Sequence, residues 1–418
     1  MGSATFFDAF DALAIAFVLP VLAVAWKLTP AQIGYLIGAG FAGQLVGALV
    51  FGWLAERIGR VRVASITVGI FALASLACAA APSFGVLLTL RLIQGLGLGG
   101  EVPAAAAYVN ELAPSKGRGR FFMIYELLFP AGLLTAAVLG TWLVPTLGWE
   151  AMFIIGGLPA VLVLFMRRIL PESPRWLASK GRTKEAEIAF TRLYPGAKMP
   201  AVALAPMKAP EGRFHIWRGL FEGIYMRRTL AIWVLWVCAF VLTYGITTWL
   251  PTIYRTVFKL PLAESLQYGL ITNVAGFFGA LCCAFLIDRI GRKPWFTWSF
   301  LCGGIALACL YVQGSGGAIS VLVGASISYF FIASCATALY LYTPELYPTR
   351  VRALGISVAS AWLRLASAAG PIIVGSIVAD GGLNGVFGVF AILAFVGSLA
   401  TVILNVETNG RILEEVSP

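Results

Sequence analysis

Gly52-Trp-Leu54-Ala-Glu56-Arg57-Ile-Gly59-Arg60 returns 232 residues later as Ala284-Phe-Leu286-Ile-Asp288-Arg289-Ile-Gly291-Arg292. Two more pairs keep nearly the same offset. Glu111-Leu-Ala-Pro114, followed by Lys116 and Arg118, matches Glu345-Leu-Tyr-Pro348, followed by Arg350 and Arg352. Pro171-Glu172-Ser173 is echoed more weakly by Val406-Glu407-Thr408. A direct repeat at this spacing implies two equivalent halves. Parallel repeats around a central cavity are a transporter architecture.

Outward from each charged stretch the chain is apolar for about 20 residues at a time, the length that crosses a bilayer. Twelve such runs can be read: 4–26, 31–55, 63–81, 85–110, 120–145, 151–168, 229–251, 266–287, 295–313, 318–343, 353–378 and 384–405. The runs are continuous and do not alternate, which excludes membrane strands. The expected fold is therefore an all-α membrane protein, with twelve transmembrane helices in two six-helix bundles. The halves are 1–168 and 229–405, joined by a polar cytoplasmic linker at 169–228 and followed by a tail at 406–418.

Composition agrees. Of 418 residues 60% are hydrophobic and 12% charged, against about 25% charged in soluble domains, which excludes a soluble enzyme. The net charge of +11 does not mark a nucleic-acid binder, because its placement follows the positive-inside rule. With the N-terminus inside, the cytoplasmic segments hold Arg57, Arg60, Arg62, Lys116, Arg118, Arg120, Arg289, Arg292, Lys293, Arg350, Arg352, Arg411 and the basic residues of the linker. The outside holds Lys27, Arg255 and Lys259. Both termini are expected to be cytoplasmic, in the inner (plasma) membrane. The seven cysteines lie in apolar stretches, with no metal-ligand or disulfide spacing. No cofactor motif is present, and no cleavable leader is expected, since the first apolar run carries Asp8 and Asp11 and lacks a basic start.

With these motifs in hand the chain resembles a major facilitator superfamily transporter over essentially its whole length. The Gly-x-Leu-x-acid-Arg-x-Gly-Arg loop is that superfamily's best-known motif; here Glu56 replaces the usual Asp and keeps the charge. Arg91-x-x-Gln94-Gly95-x-Gly97-x-Gly99-Gly100-Glu101 and Pro171-Glu172-Ser173-Pro174-Arg175-Trp176-Leu177 are similar to sugar porters, metabolite–proton symporters and the organic-ion branch. Span seven, Trp236 to Pro251, lacks the Gln-Gln pair of sugar porters and resembles the aromatic-acid and niacin-type carriers. Only Lys27-Leu-Thr-Pro30 fills the gap after span one, unlike the large ectodomain of eukaryotic organic-ion transporters, so a prokaryotic carrier is the better match.

Ionisable groups at membrane depth are costly and point to function. Arg364 lies twelve residues past Arg352, roughly 18 Å into the membrane at 1.5 Å per residue. Its own span has no acid to pair with it. A guanidinium there would take a carboxylate in two-point fashion; the other reading is an acid from another span or backbone carbonyls. Asp8 and Asp11 share a face of span one. The resemblance implies that Asp11 takes the proton, with Asp8 as the weaker candidate and Arg91 as partner. Depth arithmetic separates that pair, placing Arg91 ~9 Å and Asp11 ~22 Å from the outer surface. Glu126 could titrate or bind substrate, or be a packed carboxyl. Glu101 serves packing or gating. The glycines Gly34, Gly38, Gly43 and Gly47, with Gly95 and Gly99, permit close helix contact.

Tyr108, Tyr125, Tyr244, Trp249, Tyr329, Phe330 and Tyr340 could line an apolar pocket, with Asn273 as a polar candidate. Of these, Tyr108, Tyr244, Trp249, Asn273 and Tyr340 join Arg364 as the expected substrate site. His215 is cytoplasmic and cannot carry protons across the membrane. The charged ends Glu56, Arg57, Arg60, Arg118, Asp288, Arg289, Arg292, Glu345 and Arg352 can latch a cytoplasmic gate, besides setting topology. The function expected is a secondary transporter, not an enzyme. It imports a small organic anion, an aromatic or heteroaromatic carboxylate, by proton symport, working as a monomer. The alternatives are a drug or metabolite exporter and a sugar-type porter.

Overall fold

The structure, a computed structural model, describes residues 2–112, 128–161, 163, 170–194, 218–314 and 316–409. Lys116, Arg118, Tyr125, Glu126 and His215 lie outside the described residues. The helices in chain order are α1 Gly2–Ala25, α2 Pro30–Ile58, α3 Arg60–Ala79, α4 Phe84–Leu112, α5 Leu128–Leu147, α6 Glu150–Gly156, α7 Pro174–Ser179, α8 Thr183–Leu193, α9 Ile224–Thr256, α10 Leu262–Ile290, α11 Arg292–Val312, α12 Ala318–Glu345 and α13 Thr349–Leu404. α13 is two spans, Leu354–Ala379 and Gly382–Leu404, broken where Gly382 takes a φ of 69°.

Among the described residues ten helices are long and apolar enough to cross a membrane. Helices are what such sequence must form, because lipid offers no partner for a backbone N–H or C=O. α4, 29 residues long, carries Arg91 and Glu101; the short apolar helix Glu150–Val161 falls where the sixth run begins. The turns between spans are encoded locally. Between α1 and α2, Gln32 Oε1 accepts from Thr29 N at 2.9 Å while Thr29 Oγ1 accepts from Gln32 N at 3.3 Å. This is a reciprocal capping box, and Pro30 opens the helix at a position that needs no N–H donor.

The repeat is visible in the backbone. Among the described residues two that are not glycine have positive φ, Lys27 at 51° and Lys259 at 55°; they are 232 positions apart. Gly47 of α2 lies against Leu96 O of α4, and Gly279 of α10 against Phe330 O of α12, so close that a Cβ on either glycine would strike the carbonyl. Both contacts recur at the repeat offset and seat one helix on the backbone of another.

By packing, the chain divides into two compact units. The first comprises Met1–Ala14 with Ala39–Ala209, the second Ile15–Gly38 with Pro210–Pro418. The first unit centres on α3 packed against α4, with Val63, Val68, Phe71, Leu98 and Ala104 in its core. In the second, α9 packs on α13, α10 on α12, and α11 on α12 and α13.

Candidate functional site

In the first unit the charged residues of α1 and α4 meet. Asp11 and Arg91 are 0% and 2% exposed, and Arg91 Nη1 lies 3.2 Å from Asp11 Oδ2. The pair is contiguous although helical rise alone set it apart. Gln94, one turn beyond Arg91 on α4, clamps both partners. Its Nε2 donates to Asp11 Oδ1 at 2.6 Å, and its Oε1 accepts from Arg91 Nη1 at 2.6 Å. Ser75 of α3 donates to Phe153 O at 2.8 Å and reaches Asp11 Oδ1 at 3.4 Å, and the Cys78 thiol approaches Gln94 Oε1 at 3.8 Å. Two glycines make the room: a Cβ on Gly40 would come within 2.7 Å of Arg91 Nη2, and one on Gly156 within 2.9 Å of Asp11 Oδ1. A buried ion pair is costly unless its remaining donors and acceptors are answered; Gln94 answers one group on each partner, while Arg91 Nε has no hydrogen-bond partner. A proton on Asp11 would remove the charge that holds Arg91.

Gln94, Ser75 and Cys78 escaped the sequence reading as site residues. For Gln94 the signal was available, since a polar residue three positions from a buried arginine shares its helix face. Asp8 is buried one turn from Asp11, nearer the start of α1. Glu101 is buried on α4, and its Oε1 accepts from Thr5 Oγ1 at 3.5 Å.

In the second unit Arg364 is 7% exposed on α13, and its Nε has no hydrogen-bond partner. Among the described residues it forms no ion pair. Trp236, Phe240 and Tyr244 follow one face of α9, with centroids 5.2 and 6.3 Å apart, both pairs stacked. Tyr340 of α12 stands edge-on to Trp236 at 5.0 Å and to Phe240 at 6.4 Å, and is 51% exposed. Tyr244 and Tyr340 thus belong to one aromatic cluster, with Trp236 and Phe240 as further members that the sequence reading did not single out. Trp249 and Asn273 are engaged elsewhere: Trp249 Nε1 donates to Pro371 O at 3.1 Å, and Asn273 Nδ2 to Gly269 O at 2.9 Å. Tyr108 belongs to the first unit, where its hydroxyl donates to Pro171 O at 2.8 Å.

That tyrosine is part of a junction built twice. At the start of α3, Gly59 has a φ of 109°, and Glu172 Oε1 accepts from Arg60 N at 2.8 Å and Val61 N at 3.1 Å. At the start of α11, Gly291 has a φ of 96°, and Glu407 accepts from Arg292 N at 3.0 Å and Lys293 N at 2.9 Å. Trp176 Nε1 donates to Glu56 O in one copy, and Asn409 Nδ2 to Asp288 O in the other. Tyr342, 234 positions after Tyr108, donates to Val406 O at 2.6 Å. The arginines turn back to their own acids: Arg60 to Glu56 at 2.9 Å, and Arg292 to Asp288 at 2.6 Å and Glu345 at 3.1 Å. Arg57 is exposed and covers the Trp53 ring at 3.9 Å; Arg289 is exposed. The side chain of Arg352 lies outside the described residues.

Burial alone would push the Glu407 carboxyl up, but backbone N–H groups of Asn409, Arg292, Lys293 and Thr408 together hold it below its ordinary value. The carboxylates do the work of an N-terminal cap, where negative charge meets the unpaired N–H groups of the first turn.

The chain is similar to known membrane transporters. The family described as "Sugar (and other) transporter" matches residues 14–418. The niacin transporter NiaP of Acinetobacter baylyi is 35% identical over 418 residues, covering 100% of this chain and 94% of its own length. The gallate transporter of Pseudomonas putida is 30% identical over 397 residues, covering 94% and 88%. A solved structure, the partially occluded inward open conformation of the xylose transporter XylE from E. coli, superposes with a TM-score of 0.79 at 18% identity, covering 98% of this chain and 97% of that one, a likeness of fold. The chain therefore belongs to the family of sugar and other transporters, and is a multi-span membrane transporter with the major facilitator fold.

Proposed function

We propose that this transporter imports a small aromatic or heteroaromatic carboxylate together with protons. The observation that carries the reading is Arg364, a guanidinium buried in a membrane helix with no ion pair among the described residues. A charge so placed wants an anion, and a carboxylate meets the planar fork at two points. The aromatic cluster of Trp236, Phe240, Tyr244 and Tyr340 belongs to the same unit and suits a flat ring. Niacin and gallate, named for two of the relatives, are both carboxylates on an aromatic ring. Asp11, paired with Arg91 and Gln94, is the proton site, with Asp8 beside it.

The chain works as a monomer in the cytoplasmic membrane, with both termini inside and the linker 169–228 joining two six-helix halves. Glu56, Arg57, Arg60, Glu101, Asp288, Arg289, Arg292 and Glu345 act in gating. The test is uptake of labelled nicotinate, gallate and xylose into proteoliposomes. Accumulation of an aromatic acid under an inward proton gradient, and not without it, is expected. Accumulation of xylose in place of the acids would overturn the reading.

A further inference from the structure

The chain turns through Gly59 into α3, and beside that turn a cleft of about 420 Å³ opens between the first turn of α3 and the α7–α8 pair. Three arginines line it, Arg62, Arg182 and Arg192, with Ile58, Val61 and Ile188 as apolar wall. Two acids are present, and both are already committed. Glu172 Oε1 and Oε2 accept from the backbone N–H groups of Arg60, Val61 and Ser173. Glu185 is bound by Arg182 at 2.5 Å. Arg62 is exposed, with no hydrogen-bond or ion-pair partner among the described residues. The cleft is thus positive, and the N-terminal donors of α3 are already satisfied from within.

A second observation decides which anion suits it. Arg62 heads the exposed stripe of α3, on which Ile66, Leu73 and Leu76 follow at helical spacing. From Arg62 to Leu76 that stripe is about 21 Å long at 1.5 Å per residue, enough to run past one leaflet, about half of a bilayer core of about 30 Å. A cation at the membrane surface followed by an apolar track matches a phosphate head joined to an acyl chain, whereas a free phosphate would use only the first.

We propose that this cleft binds an anionic phospholipid, its phosphate held by Arg62 with Arg192, while Arg182 stays paired with Glu185, and an acyl chain lying along Ile66, Leu73 and Leu76. Basic pockets beside membrane helices select anionic headgroups through the same charge. The proposal rests on α3 crossing the membrane and is independent of which molecule is transported.

The test uses the purified full-length chain in detergent. Its thermal unfolding is followed during titration with dioctanoyl phosphatidylglycerol, dioctanoyl phosphatidylcholine or inorganic phosphate. A saturable rise with phosphatidylglycerol alone is expected. Arg62→Gln should weaken it about five-fold, the worth of one basic residue at a membrane surface, while Arg62→Lys keeps most of it. Arg192→Gln is the second variant, should the first fail to fold. An equal response to phosphatidylcholine would make the site merely apolar, and an equal response to phosphate would make it a soluble-anion site. Unchanged affinity in both glutamine variants would place the lipid elsewhere. Any of the three overturns the proposal.

Discussion

Asp11 takes a hydrogen bond from Gln94 and an ion pair from Arg91, so a single proton there alters three side chains at once. Asp11→Asn keeps the shape of the site and removes the titration. It should abolish accumulation driven by a proton gradient and leave substrate exchange across the membrane intact; accumulation at the wild-type level would show that coupling resides elsewhere. Arg364 gives a separate prediction. Arg364→Lys keeps the charge and loses the two-point fork, so affinity for the acid should fall without vanishing. Arg364→Ala should cost about a hundredfold or more, since removing one partner of a buried charge pair typically costs about 3–5 kcal/mol. The neutral amide of the same acid should bind wild type and Arg364→Ala almost alike. Equal losses for acid and amide in a binding titration would mean that Arg364 holds the fold instead. Both charged residues were legible in the sequence because a charge inside an apolar run stands out. Gln94, Ser75 and Cys78 were not, because uncharged polar groups are frequent in such runs and only the packing of α1, α3 and α4 makes these face Asp11.

At the scale of elements, the acids that follow the sixth and twelfth spans act on helices far away in sequence. Glu172 closes the start of α3 and Glu407 the start of α11, each behind a glycine whose φ is one that other residues adopt only with strain. The sequence displays the three pieces of each junction and their repetition, but not that they touch, since the partners are more than fifty residues apart. Tyr108 illustrates the limit: an aromatic residue in a membrane helix reads as pocket lining, yet its hydroxyl is spent on Pro171 O, as that of Tyr342 is on Val406 O.

The sign of the pH effect at Glu407 follows from its partners. Its folded carboxyl titrates below the ordinary value of 4.5, so its contribution to stability is present above that value and is lost as pH falls through the folded one. Glu407→Gln should lower thermal stability at pH 7 by about 1 kcal/mol, the usual worth of a cap. The difference from wild type should shrink toward pH 3. A gap that stays constant with pH would mean that the loss comes from packing and not from charge.

For the whole molecule, the repeat and the apolar runs anticipated the helices closely, because span length is set by the bilayer and not by tertiary detail. Each helix long and apolar enough to span the membrane begins and ends within a few residues of an expected run, apart from stretches at 113–127 and 164–169 that the structure does not describe. What the sequence could not supply is packing. Ile15–Gly38 groups with the C-terminal unit although it precedes the repeat boundary by more than a hundred residues, and helix length alone says nothing of such a choice.

Sidedness is a property of the charges. Lys27, Arg255 and Lys259 are few against the arginines and lysines at the other helix ends, and a basic loop is retained on the cytoplasmic side. A protease site inserted between 200 and 210 should therefore be cut only in permeabilised cells, and one inserted beside Lys27 or Lys259 in intact cells. With the linker joining two halves, as proposed, it would fix the parity of the count. Six spans on each side return the chain to the same face, whereas five or seven in the first half would put linker and N-terminus on opposite faces. Cleavage of the linker site in intact cells, with an N-terminal tag still protected, would break that parity, and the two-half architecture would fail with it.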